Sequence, residues 1–149
     1  MFRANLIAVL ALGLFACGGD EEVPATTSLR GMITVSPALL PLADGVGRMC
    51  VGLYDVSKAC PVGGDPGFVR VTGQEFSKVD LNAQPKFDFT LDLKNVLPGT
   101  YLFSARFDGD ESGCSSAPNS ADAIPKTCES LSIKEGANQV SQELASVIP

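Results

Sequence analysis

The sequence predicts an all-β domain, an antiparallel β-sandwich of about seven strands, preceded by a signal peptide and a flexible tether. Three observations carry that expectation. Apolar residues recur at every second position along much of the chain, which is the period of a half-buried strand. Clusters of Gly, Pro, Asn and Asp separate these stretches at short intervals. No long stretch after the N-terminal region sustains an apolar stripe at helical period.

In chain order, residues 1–5 carry one cation, Arg3, and no acid, and 6–15 (LIAVLALGLF) form an unbroken apolar run. A run of about ten residues suits a signal-peptide core, whereas a membrane-spanning helix needs about twenty. Gly18, Gly19, Asp20, Glu21 and Glu22 end it abruptly. Leu14, Phe15, Ala16 and Cys17 resemble the lipobox of bacterial lipoproteins. That resemblance implies cleavage before Cys17 and alkylation of its thiol with diacylglycerol, leaving a palmitate-type anchor in a membrane. An ordinary secretory cut after Ala16 would want a small residue where Leu14 stands. Gly18, in place of Asp, follows the cysteine, and under enterobacterial-type sorting this implies the outer membrane. The expected divisions are a signal peptide at 1–16, the lipidated Cys17 with its tether at 17–28, and the β-sandwich at 29–149. The tether sequence GGDEEVPATTS is polar and aperiodic, and fully extended it reaches roughly 35 to 40 Å.

Strand candidates then follow at 30–36, 48–55 and 68–72. Residues 86–94 (KFDFTLDLK) alternate most cleanly, with Phe87, Phe89, Leu91 and Leu93 on one face and charged or hydroxyl side chains on the other. Residues 100–107 alternate likewise, placing Tyr101, Phe103, Ala105 and Phe107 inward and Ser104 and Arg106 outward. Between the two, 95–99 (NVLPG) supplies a turn, because Pro98 fixes its own φ and Gly99 tolerates positive φ. These two strands are expected to form a hairpin. Residues 129–134 and 138–147 complete the set. In the last, Val140, Leu144 and Val147 are spaced i, i+4, i+7, so a terminal helix competes with a strand.

Gly31 to Val35 (GMITV), Val51 to Tyr54 (VGLY) and the strand, LPGTY turn and strand of 87–107 resemble transthyretin-like or carboxypeptidase-regulatory-like β-sandwich domains. In those domains a Pro-Gly-Thr-Tyr turn joins two core strands, and Pro98, Gly99, Thr100 and Tyr101 stand here in that order. The resemblance implies a seven-stranded sandwich serving as a binding or spacer module, and it favours a strand at the C-terminus. It is silent on function beyond that.

With Cys17 set aside, Cys50, Cys60, Cys114 and Cys128 remain, an even number in an exported chain and hence a two-disulfide framework with three connectivities. Sequence-local pairing, Cys50 with Cys60 and Cys114 with Cys128, is the expected one. A zinc site is disfavoured, since no two cysteines form C-x-x-C and the chain has no histidine.

Removing 1–16 leaves 149 − 16 = 133 residues and takes Arg3, so 10 cations face 17 acids, a formal charge of 10 − 17 = −7. The acids are dispersed and Lys and Arg form no cluster, which excludes nucleic acid and leaves membrane attachment to the lipid on Cys17. The lack of histidine removes the Ser-His-Asp and Cys-His arrangements and the usual metal-bound hydroxide sites. Transthyretin-related hydrolases rely on histidines and a C-terminal Tyr-Arg-Gly-Ser signature, whereas this chain ends Ser-Val-Ile-Pro. No enzyme activity is expected.

One stretch carries chemistry. In 108–113 (DGDESG), Asp108, Asp110 and Ser112 alternate and Gly113 follows, matching the first half of a calcium loop. The twelfth position, where a bidentate Glu would complete the shell, is Asn119. Glu111 or Asp122 substitutes only if the loop folds back. The polar loop 114–128 and the apolar 39–47 (LLPLADGVG) are further candidates, the first for partner recognition and the second as a plug for the end of the core. The functional expectation is a non-catalytic cell-envelope lipoprotein, a binding or spacer module for a protein or glycan. The alternatives are an accessory subunit of an envelope assembly and, behind it, a calcium-binding adhesion-type domain.

Overall fold

Nearly every stretch that alternates in sequence is a strand in the computed structural model, which describes residues 26–57 and 70–147. Cys17, most of the tether and Cys60 lie outside the described residues. The strands are β1 (Ser28–Val35), β2 (Val46–Asp55), β3 (Arg70–Asp80), β4 (Lys86–Asp92), β5 (Gly99–Asp108), β6 (Ala123–Ile124), β7 (Glu129–Ile133), β8 (Ala137–Leu144) and β9 (Ser146–Val147). Among the described residues the one helical element is a 3-10 turn, Pro37–Leu39. Among the described residues seven strands have five or more residues, as expected, and β6 and β9 add two of two residues each.

Two sheets face each other. One has the order β4-β1-β8, the other β3-β2-β5-β6-β9 with β7 also paired to β5. Pairing is antiparallel except between β1 and β8, which run parallel. Leu29, Ile33 and Val35 of β1, Phe89 and Leu91 of β4, Leu144 of β8, Met49, Val51 and Leu53 of β2, and Phe103, Ala105 and Phe107 of β5 fill the space between. Each of the larger ones contributes roughly 1.5 to 3 kcal/mol by leaving water. Leu42 is buried among them, with Leu39 and Leu40 packed against the cluster, so 39–47 plugs the end of the core. Asn82 holds that plug by accepting the Leu42 N–H at 2.8 Å and donating Nδ2 to the Leu42 carbonyl at 3.0 Å.

One expectation about connectivity is corrected. β4 and β5 do not form a hairpin: β4 pairs β1, β5 pairs β2 and β7, and the Pro98 turn carries the chain from one sheet to the other. Phe89 and Phe103 therefore meet across the core, stacked with ring centroids 5.7 Å apart. A two-residue period says which side chains face the core, and both a hairpin and a sheet-to-sheet crossing satisfy it. At the C-terminus the strand reading holds, and among the described residues the competing helix is absent. The i, i+4 spacing of Val140 and Leu144 is even, so both face inward from a strand, whereas Val147 falls out of phase and stays exposed.

Strand directions place the two poles. Ser28 lies beside Asp92 and Ala137 in register, so β1 begins at the same end as the Pro98 turn. β5 ends at Asp108, opposite Arg48 near the start of β2, at the other pole.

Candidate functional site

Cys50 and Arg106 are register partners across β2 and β5, and alternation points both away from the core. The prediction that Arg106 and Ser104 face outward holds for direction, yet Ser104, Arg106 and Asp108 are all buried. Over Arg106 and Asp108 the cover is the segment 109–122, which folds back over the outer face of the sheet. A disulfide joins Cys50 to Cys114 with Cα atoms 5.7 Å apart. Arg106 donates Nη1 to the Ser116 carbonyl at 2.8 Å and Nη2 to the Gly113 carbonyl at 2.5 Å. Gly109 makes the close crossing possible, since a Cβ there would run into the Ala121 carbonyl and stand 3.1 Å from Asp44 Cβ.

This disulfide corrects the expected local pairing of Cys50 with Cys60 and Cys114 with Cys128. Pairing over 64 residues in place of 128 − 114 = 14 costs only about 1 kcal/mol more in loop closure. The fold, which lays Cys114 over Cys50, easily outweighs that difference. Cys128 is disulfide-bonded as well.

The fold-back assembles the acids. Asp108 accepts from the Ser112 N–H and Oγ at 3.1 and 3.2 Å through Oδ1, and from the Gly113 N–H at 2.7 Å through Oδ2. Asp110 accepts from the Ser112 N–H at 3.1 Å and from Asn119 Nδ2 at 2.8 Å. Asp122 Oδ2 accepts the Asn119 N–H at 3.0 Å and stands 4.0 Å from Arg106 Nη1. Its Oδ1 is buried without a hydrogen-bond partner. Asp108, Asp110 and Asp122 each offer a carboxylate oxygen, and these three oxygens all lie within 4.8 Å of one another. Hydrogen bonds from Ser112 and then Asn119 hold exposed Asp110 down at about 2, while burial pushes Asp122 above the usual carboxylate range against the lowering effect of the Asn119 amide and Arg106.

No protein-family model matches the chain, and no curated protein matches it. Among solved structures it is similar to an alternative pilotin from the type II secretion system of Vibrio cholerae, with 22% identity, a TM-score of 0.50, and coverage of 82% of this chain and 97% of that one. The likeness is one of fold. What stands of the transthyretin-like resemblance is the two-sheet β-architecture, with Pro98, Gly99, Thr100 and Tyr101 leading into β5.

Of the predicted site residues, Asp108, Asp110 and Ser112 are brought together at the pole where β5 ends. Asn119, at the twelfth position, donates to Asp110 and Asp122, and the fold-back brings Asp122 beside Asp108 and Asp110. Arg106 was not singled out, because a charged outward residue reads as solvated surface. The available signal was Cys50, a cysteine at an outward position of a strand, which implies that something covers it.

Proposed function

We propose that the chain is a lipid-anchored, non-catalytic accessory subunit of a bacterial cell-envelope assembly, held at the outer membrane through Cys17. The observation that carries this reading is polar placement. β1, which follows the tether, starts at one end of the sandwich, and the stapled loop 109–122 crowns the other. A lipid on Cys17 would then hold the first pole near the membrane and leave the second for a protein partner. Support comes also from the lipobox-like Leu14 to Cys17, from Gly18, and from the fold shared with a secretion-system pilotin. The absence of histidine favours binding over catalysis. A transthyretin-like binding or spacer module is the broader form of the same reading.

The test is photo-cross-linking in living cells from two exposed positions, Ser120 on the loop and Leu97 at the tether pole. Ser120 is expected to capture one constant envelope protein that Leu97 does not. Failure of both positions to capture any constant protein would remove the accessory-subunit reading.

A further inference from the structure

We propose that Asp108, Asp110, Ser112 and Asp122 bind a hard divalent cation of the calcium type at the pole opposite the tether. The inference is independent of whether the chain belongs to an envelope assembly.

The loop has the local form such a site requires. Glu111 at φ 55° and Gly113 at φ 114° turn the chain sharply, and the Ser112 and Gly113 amides wrap around the Asp108 carboxylate. This brings the side-chain oxygens at alternate positions 108, 110 and 112 to one side of the turn. Calcium takes 6 to 8 oxygens at about 2.3 to 2.6 Å, so oxygens sharing one ion stand no more than about 5 Å apart. The Asp108, Asp110 and Asp122 oxygens meet that limit at 4.8 Å.

An acidic turn alone would be an ordinary solvated loop. Asp122 makes the difference. It has no exposed surface, it comes from outside the turn, its Oδ1 lies buried without a hydrogen bond, and one oxygen of its carboxylate stands within 4.8 Å of oxygens of Asp108 and Asp110. Leaving such an oxygen unmatched costs several times an ordinary hydrogen bond. Among the described residues protein donors leave that oxygen open: the Gly109 N–H acts on the Asp122 carboxylate without completing a hydrogen bond to Oδ1, and Arg106 directs N–H groups to the Gly113 and Ser116 carbonyls and stands 4.0 Å from Asp122 Oδ2. Three carboxylates against one guanidinium leave 3 − 1 = 2 negative charges, which one divalent cation neutralises. All the donors are oxygens, the chemistry that selects calcium or magnesium over zinc and copper. The turn supplies three of them and Asp122 a fourth, with water to complete the shell, an arrangement calcium tolerates better than magnesium.

The experiment uses the purified lipoprotein with its disulfides intact, stripped by chelator, and titrated with calcium or magnesium alone by calorimetry and thermal denaturation. Calcium is expected to bind at one site per chain, with Kd of about 10⁻⁴ to 10⁻³ M as in extracellular modules. At ~100 times Kd, melting should rise by about 5 to 10 °C. Asp110→Asn, at an exposed position that the fold tolerates, and Asp122→Asn should each weaken binding at least tenfold. Magnesium should produce a smaller shift. An unchanged melting temperature at 10 mM calcium (about ten times the weakest expected Kd) would overturn the site, as would calcium binding of equal strength in both variants.

Discussion

Gln142 of β8 reaches across the core to Ala105 of β5, its Oε1 accepting the Ala105 N–H at 2.8 Å. Its Nε2 donates to the Phe103 carbonyl at 3.4 Å and the Thr127 carbonyl at 3.0 Å. β7 pairs β5 as far as Phe103 and β6 pairs it again at Phe107. Among the described residues the gap between them has no strand neighbour on that side of β5, and one buried side chain, Gln142, bonds the backbone there. Gln142→Leu keeps the volume and strips the polar groups, so it leaves a buried N–H without its acceptor. Denaturant unfolding should show a loss of about 2 to 3 kcal/mol. A loss under 0.5 kcal/mol, the range of ordinary surface changes, would mean that the gap is solvated in another way.

The Cys50 to Cys114 bridge closes 64 residues. Cys50→Ser with Cys114→Ser should cost up to about 4 kcal/mol in the chain-entropy model and should release the loop, seen as faster amide exchange at Ser112 and Gly113. Peptide mapping without reduction should recover Cys50 linked to Cys114 and, with Cys17 lipidated, Cys60 linked to Cys128. Recovery of Cys50 linked to Cys60 would contradict both assignments.

Gly31 sits opposite Phe89 in register, and a Cβ there would overlap the Phe89 ring while standing 3.0 Å from Val140 Cγ1. Gly31→Ala should therefore displace Phe89 from its stack on Phe103 and destabilise the chain by about 1 to 3 kcal/mol, measurable as a lowered melting temperature. A neutral or stabilising result, expected where a glycine is replaced without a clash, would show that the β1 to β4 contact is looser than described.

Cys17→Ser should abolish incorporation of radiolabelled palmitate and shift the chain from the membrane to the soluble fraction. Labelling that persists in the variant would place the lipid elsewhere or remove it from the account of anchoring.

Much of the fold was legible because β4, β5 and the inward face of β1 alternate cleanly, and alternation reports burial on one side. β3 was under-read: only 68–72 was expected, yet the strand runs from Arg70 to Asp80. Most of its residues are exposed or half-buried on both faces, so the contrast that marks a strand is missing around Gly73, Gln74 and Glu75. Pairing partners were not legible at all. Period two gives each strand a face but no neighbour, which is why the Pro98 turn read as a hairpin and Cys50 was assigned a partner nearby in sequence. The acidic turn was legible as far as local spacing reaches. Asp122 enters through tertiary fold-back over Arg106, and no spacing rule encodes that.

The most direct measurement is the size and composition of the particle that carries the chain in mild-detergent extracts of native membranes. An accessory subunit should co-migrate with one constant protein at a fixed ratio, in a complex well above the 15.5 kDa of the chain. A lipidated chain that migrates alone, at every detergent concentration and in every growth condition tried, would contradict it.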